Sequence, residues 1–120
     1  MTKTYQWDEL RKRTKQFAIR IVKLFRALPR SRDAQILGAQ VLRSGTFVAA
    51  NCRAACRARS KAEFIAKMGV VVEEADETVF WLELLVDTDI VKARRMESLM
   101  TEANQLLAIF AASLRTAKRH

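Results

Sequence analysis

The sequence predicts an all-α protein, an antiparallel four-helix bundle in which the helices run up, down, up and down. Three Gly and one Pro in 120 residues are too few for the many turns of a β protein. Four long segments carry apolar residues at every third or fourth position, which is typical of helices. The connections between them are short and favour antiparallel neighbours. One domain is expected, with helices at about 7–28, 33–59, 61–87 and 92–118.

The first two helices follow from their apolar stripes and from the residues between them. Pro29 ends the first helix, and Ser31 or Asp33 can cap the second. Gly45 lies inside the second helix, where glycine costs about 1 kcal/mol relative to alanine, and it predicts close packing or a slight bend. The stripes are Trp7, Leu10, Thr14, Phe17, Ile21, Leu24 and Leu28, then Ile36, Leu37, Val41, Phe47, Val48, Ala54 and Ala55.

The third and fourth helices have equally clear starts. Ser60 and Glu63 have the spacing of a capping box, in which a hydroxyl and a carboxylate accept hydrogen bonds from free amides at a helix N-terminus. A turn is expected around residues 87–89, before the last helix. The stripes are Phe64, Met68, Val71, Ala75, Thr78, Leu82 and Leu85, then Met96, Leu99, Ala103, Leu106, Phe110, Ser113 and Ala117.

The third helix is more apolar than one bundle core requires, especially over residues 70–72 and 79–86, and residues 106–112 of the fourth show the same excess. Such an excess predicts burial against another copy of the chain, hence a homo-oligomer. A wide core that absorbs these side chains is the alternative. No apolar run approaches the roughly 20 residues of a membrane span, so no membrane partner is expected. A cytoplasmic location is the expectation.

Charge is distributed unevenly along a chain whose formal net charge is +9. The net charges are +7 over residues 1–33, +5 over 34–62, −7 over 63–91 and +4 over 92–120. An excess of this kind favours phosphate backbones without base specificity. The nucleic-acid-binding candidates are the basic tip between the second and third helices, Arg53, Arg57, Arg59 and Lys61, and three cations of the first helix, Lys12, Lys23 and Arg26. These basic surfaces could instead be merely solvated, or the first helix could complement the acidic third helix of a neighbour.

A second group of polar residues has a structural interpretation. In a hairpin centred near Ser60, residues whose numbers sum to about 120 lie opposite each other, so Arg43 faces Glu77 and lies within a turn of Glu74. A charge-assisted pair would hold the two helices in register. By the same rule Asn51 faces Gly69, where its amide has room to meet backbone or a neighbouring helix.

Catalytic and metal-binding constellations are not found in the sequence. His120 is the only histidine, so neither a His-activated nucleophile nor a di-metal carboxylate site is expected. No cofactor is expected either. Cys52 and Cys56 are four residues apart, which is neither a redox nor a usual zinc spacing, and reduced structural thiols are the expectation. The sequence therefore predicts a protein that is not an enzyme.

Several short motifs resemble one known family. They are Arg43-Ser44-Gly45-Thr46, Ala50-Asn51, Arg57-Ala58-Arg59-Ser60, Phe64, Glu74-Ala75-Asp76-Glu77-Thr78 and Trp81-Leu82-Glu83-Leu84-Leu85. They resemble the four-helix-bundle proteins related to those encoded in intervening sequences of bacterial 23S ribosomal RNA. The resemblance implies no chemical reaction and a closed ring of five bundles. Some relatives resemble accessory proteins of reverse transcriptases in diversity-generating retroelements.

Together these observations predict a basic, homo-oligomeric scaffold or accessory protein that binds nucleic acid, with structured or single-stranded RNA as the expected partner. The alternatives are a protein-interaction module, such as a reverse-transcriptase accessory subunit, and an oligomer with a purely structural role.

Overall fold

The computed structural model describes residues 2–120, and within them the chain forms four α-helices and no strand. The helices are α1 (Thr2–Ala27), α2 (Arg32–Cys56), α3 (Lys61–Asp87) and α4 (Ala93–Arg119). They pack into an elongated bundle of 46 × 22 × 20 Å. α2 packs against α1 and α3, and α3 packs against α4, whereas α1 and α4 touch each other much less. The predicted all-α fold of four helices is confirmed.

Two helix ends differ from the prediction. α1 begins at Thr2 rather than near residue 7, because an apolar stripe marks only the buried part of a helix and says nothing of a polar first turn. α2 ends at Cys56 rather than residue 59. The amides of Arg57 and Ala58 donate to the carbonyls of Ala54 and Ala55, and these three-residue spacings tighten the last turn and end the helix.

The start of α3 agrees with the predicted cap. Ser60 is extended, and its hydroxyl accepts a hydrogen bond from the amide of Glu63 at 3.0 Å. The Glu63 carboxylate accepts from the amide of Arg59 at 2.7 Å, one residue before the usual partner in a capping box. These bonds fix the connection between α2 and α3, which carries half of the basic tip.

The core is apolar and runs the length of the bundle. Its largest fully buried side chains are Phe17, Ile21, Met68, Leu82, Leu85, Met96, Leu106 and Phe110. A Cβ at Gly45 would lie 2.9 Å from the Ile21 side chain, so this glycine allows α1 and α2 to approach closely, as predicted. Cys52 is buried, and both thiols are free.

Part of the apolar excess of α3 enters this core and part does not. Val71, Val79, Leu82 and Leu85 are buried. Val70 and Phe80 of α3 stay exposed, and within residues 6–120 the other large exposed hydrophobic side chains are Ile19 of α1 and Ile36 and Phe47 of α2. Among the four helices described, none is long and apolar enough to cross a membrane.

Candidate nucleic-acid interface

A groove of about 560 Å³ runs between α1 and α2 at the end of the bundle that carries the basic tip. Its walls hold five cationic side chains and its floor two alanines. We call it the basic groove, and its lining residues are Asp8, Arg11, Lys12, Lys15, Ala49, Ala50, Arg53 and Arg57.

Helical periodicity explains why these residues meet. On α1 the cations recur at positions 11, 12 and 15, which share one face of the helix. On α2, Arg53 lies one turn after Ala49, and Arg57 follows one turn later as the C-cap residue. Ala49 and Ala50 keep the floor low, because neither carries a side chain beyond Cβ. The two basic walls therefore lie on either side of an open channel.

The electrostatics of the groove are dominated by positive charge. Asp8 is its one carboxylate, and it pairs with Arg11 one turn away. Lys12 lies 3.9 Å from Glu9, with both side chains more than half exposed. Within residues 6–120, Lys15, Arg53 and Arg57 make no ion pair. Three cations of the groove are thus available to phosphate oxygens.

The four residues of the basic tip do not form one cluster. Arg53 and Arg57 line the basic groove. Arg59 stands at the apex, 90% exposed, with its guanidinium 3.9 Å from Glu63. Lys61 lines a different cavity, on the side of the tip that faces α4. Since α2 ends at Cys56, the connection turns between Arg57 and Lys61 and separates them.

The helix-1 candidates fall into two places joined by Lys15. Lys12 lines the basic groove, whereas Lys23 and Arg26 line a depression of about 430 Å³ further along α1. Lys15 lines both. Together they form a continuous helix-1 strip of Lys12, Lys15, Lys23 and Arg26. Arg11 and Lys15 were not among the sequence-based site candidates, because a basic helix has cations on every side and the sequence does not say which side borders a groove.

Arg43 lies between α2 and α3, beside both carboxylates that the hairpin register places opposite it. Its Nη1 is 3.2 Å from Glu74, and its Nη2 contacts Glu77. The Trp81 indole donates to Glu77 at 3.2 Å, and the guanidinium lies 5.8 Å from the centre of the Phe47 ring. The Arg43 and Glu77 side chains remain 38% and 40% exposed, so this cluster is half-buried.

Of the two partners predicted for the Asn51 amide, backbone or a neighbouring helix, the structure shows backbone. The amide donates to the carbonyl of Phe47 in its own helix at 3.0 Å. A Cβ at Gly69 would meet nothing within 4 Å, so the space there is open. The hairpin arithmetic gives the height of a residue along the helix but not the direction in which its side chain points.

Two polar links between helices have no sequence signal. Thr78 donates to Ser44 at 2.9 Å in the buried interior of the α2–α3 interface. Arg13 donates two hydrogen bonds of 2.8 Å to Glu102, joining α1 to α4. That bond raises the pKa of Arg13 and lowers the pKa of the Glu102 carboxyl below its ordinary value.

Comparison with known proteins gives one family. The sequence model of the family described as 23S rRNA-intervening sequence protein matches residues 8–112. A crystal structure of a Bacteroides thetaiotaomicron protein, described as a protein with unknown function from the S23 ribosomal protein family, superposes with a TM-score of 0.84. It is 32% identical to this chain, and the alignment covers 91% of this chain and 97% of that one. None of the curated proteins compared with the chain matches it.

Proposed function

Because the chain belongs to the 23S rRNA-intervening sequence protein family, we propose that it is a non-enzymatic cytoplasmic scaffold that binds RNA through the basic groove. The observation that carries this proposal is the meeting of five cations from α1 and α2 around an open channel with a single, already paired carboxylate. The family description names an rRNA, which is the reason for choosing RNA over DNA.

The chemistry of the groove suits a phosphate backbone better than base edges. Arg and Lys bind phosphate oxygens and release condensed counterions, a contribution that does not depend on sequence. The helix-1 strip extends the same charge along α1 beyond the groove. The binding should therefore be strongly salt-dependent and tolerant of RNA sequence.

Replacement of Arg53 and Arg57, the arginines on the α2 wall of the groove, tests the proposal. The double variant Arg53→Gln/Arg57→Gln should bind unrelated single-stranded RNAs more weakly, and by similar factors. The slope of log K against log salt concentration should become shallower by about 0.7 per lost contact, because fewer counterions are released. Fluorescence anisotropy across a salt series measures both quantities.

A matched control removes the same charge elsewhere. Arg94→Gln/Arg95→Gln alters two exposed arginines at the start of α4, at the opposite end of the 27-residue α3 and so roughly 40 Å from the tip. This control should keep most of the affinity and the slope. Equal losses in the two double variants would reject the groove as the site. No binding of RNA or DNA by the wild type near 50 mM salt would reject the function and favour a protein partner.

We also infer that the helices alternate up and down. Arg13 contacts Glu102. Arg20, about two turns later in α1, contacts Ser98, which comes before Glu102 in α4. The residue numbers rise in one helix as they fall in the other, as expected for antiparallel neighbours. The connections of a few residues between consecutive helices support the same order.

The homo-oligomer is proposed from the exposed apolar side chains of α2 and α3. Phe47 and Phe80 are each about half exposed, and Arg43 lies between Phe47 and the acidic side chains of α3. Aromatic residues and arginine are enriched among the residues that dominate protein interfaces. A second copy would cover them, with a closed ring of five as the expected assembly from family likeness.

Light scattering at micromolar concentration tests the assembly. The wild type should be an oligomer, and Phe47→Ser/Phe80→Ser should shift it toward smaller species. A monomeric wild type would contradict the ring. Dissociation on replacement of Lys12, Lys23 and Arg26 would show instead that α1 complements the acidic α3 of a neighbour.

A further inference from the structure

The tip of the bundle has a second cavity, of about 640 Å³, on the side away from the basic groove. It opens between the start of α1, the start of α3 and the end of α4. Its lining includes two aromatic rings and a lysine of the basic tip, and the residues that matter here are Gln6, Trp7, Lys61, Phe64, Thr116 and Ala117.

Trp7, which belongs to the apolar stripe of α1, packs at the edge of the core rather than inside it. Its side chain is half-buried, and its ring meets that of Phe64 edge-on, with centroids 5.4 Å apart and an interplanar angle of 72°. Trp7 also lines a larger cavity of about 800 Å³ between α1 and α4. The indole therefore packs against Phe64 and also borders two cavities.

This cavity adjoins the basic groove along two stretches of chain. On α1, Trp7 is followed directly by Asp8, which lines the groove. Across the α2–α3 connection, Arg57 of the groove and Lys61 of the cavity are four residues apart, hence within roughly 14 Å. The exposed Arg59 lies between them in sequence. A nucleic-acid backbone leaving the groove would cross cations before it reached the cavity.

We propose that this cavity binds an unpaired nucleobase, stacked on Trp7, with Lys61 contacting the adjoining phosphate. The proposal rests on the proposed function, and it narrows the partner from RNA in general to RNA with single-stranded bases. Base–aromatic stacking tolerates every base, because each has a π-face. A base inside a duplex is already paired and stacked and cannot enter such a cavity without being extruded.

Replacing the indole tests the proposal. Trp7→Leu keeps an apolar side chain against Phe64 but removes the stacking surface. Its affinity for a short single-stranded RNA should fall between about 5-fold and about 150-fold. Its affinity for the same RNA annealed to its complement should be unchanged. The salt slope should also be unchanged, because no phosphate contact is lost.

Trp81→Leu is the matched control, because Trp81 is the other tryptophan and donates to Glu77 in the cluster around Arg43. It should leave the ratio of single-strand to duplex affinity at the wild-type value. A fall in that ratio for Trp81→Leu as large as for Trp7→Leu would overturn the proposal. So would equal losses for single strand and duplex in Trp7→Leu, which would assign Trp7 a packing role only.

A second variant keeps the test valid if Trp7→Leu perturbs the fold. Ala117→Leu fills part of the cavity with a larger side chain from α4 and leaves the indole in place. It should reduce single-strand affinity selectively as well, and unchanged affinity in this variant would overturn the proposal. A wild type that binds duplex but shows no effect of either change would refute this inference alone, whereas a wild type that binds neither nucleic acid would refute the proposed function.

Discussion

Between α2 and α3, a buried hydrogen bond joins Thr78 to Ser44, and Arg43 contacts two carboxylates of the facing helix. Between α1 and α4, Arg13 donates to Glu102 and Gln105, Arg20 donates to Ser98, and a cavity of about 800 Å³ lies beside these residues. The first interface joins two helices that follow each other in the chain, and the second joins the first and last helices.

The two interfaces differ in how closely their helices are packed. A hairpin with a four-residue connection can set its register locally, and its interior can be packed closely. The α1–α4 interface has no such connection and remains more open, with the sequence-remote pair Arg13 and Glu102 holding it. The cavity at Trp7 is a consequence of that openness. The most extensively packed helix pair and the surface proposed to receive a base are therefore in different parts of the bundle.

The largest expected effect comes from the buried hydroxyls of the α2–α3 interface. Thr78→Val should lower the free energy of unfolding by about 1–2 kcal/mol, because Ser44 loses its buried donor. Thr88→Val is the matched control. Both threonine hydroxyl oxygens lie 2.7 Å from the carbonyl oxygen four residues earlier, but Thr88 is exposed. Its effect should stay within about 0.5 kcal/mol in denaturant unfolding. Equal effects would show that the buried pair adds nothing.

The next effect belongs to the α1–α4 interface. A double-mutant cycle with Arg13→Met and Glu102→Gln should give a coupling energy of about 1 kcal/mol, the upper end for partly exposed pairs, because both hydrogen bonds are short and parallel. The measurement is urea unfolding at low and high salt. A coupling near zero at low salt would mean that this link does not hold α1 to α4.

A smaller coupling is expected for Arg43 and Glu77. Loss of one partner from a fully buried pair costs about 3–5 kcal/mol, but these two side chains are 38% and 40% exposed. Solvent screening should therefore reduce the coupling in an Arg43→Met, Glu77→Gln cycle to about 0.5 kcal/mol. A coupling larger than that of Arg13 and Glu102 would reverse the comparison and would indicate that a partner copy buries this cluster.

The smallest effect is a dependence of stability on pH. The hydrogen bond from Arg13 lowers the folded-state pKa of Glu102 below the ordinary value of 4.5. The stabilisation that the ionised Glu102 contributes is therefore complete above about pH 4.5. It is lost as the pH falls through the lowered pKa of Glu102 in the folded state. Glu102→Gln should lose less stability than the wild type over this acid range. Parallel curves of unfolding free energy against pH for the two proteins would contradict the link.

Some features of the fold followed directly from residues near each other in the chain. The Ser60 cap, the four helices and the pairing of Arg43 with Glu74 and Glu77 depend on periodicity and on a hairpin of known centre. The direction of Asn51 could not be predicted, because it depends on the rotation of α2 about its axis. The predicted C-terminal end of α2 was three residues too late, because the pattern of apolar residues does not reveal where the last helical turn tightens.

The candidate site was predictable in its chemistry and not in its shape. The excess of Lys and Arg over the first half of the chain is a property of the sequence, and it points to phosphate whatever the fold. Only the packing of α1 against α2 selects Arg11, Lys12, Lys15, Arg53 and Arg57 as the walls of one groove and places Lys61 on the far side of the tip. The physical reason is that charge adds along the chain, whereas a cavity depends on the tilt, rotation and spacing of helices that meet only after folding.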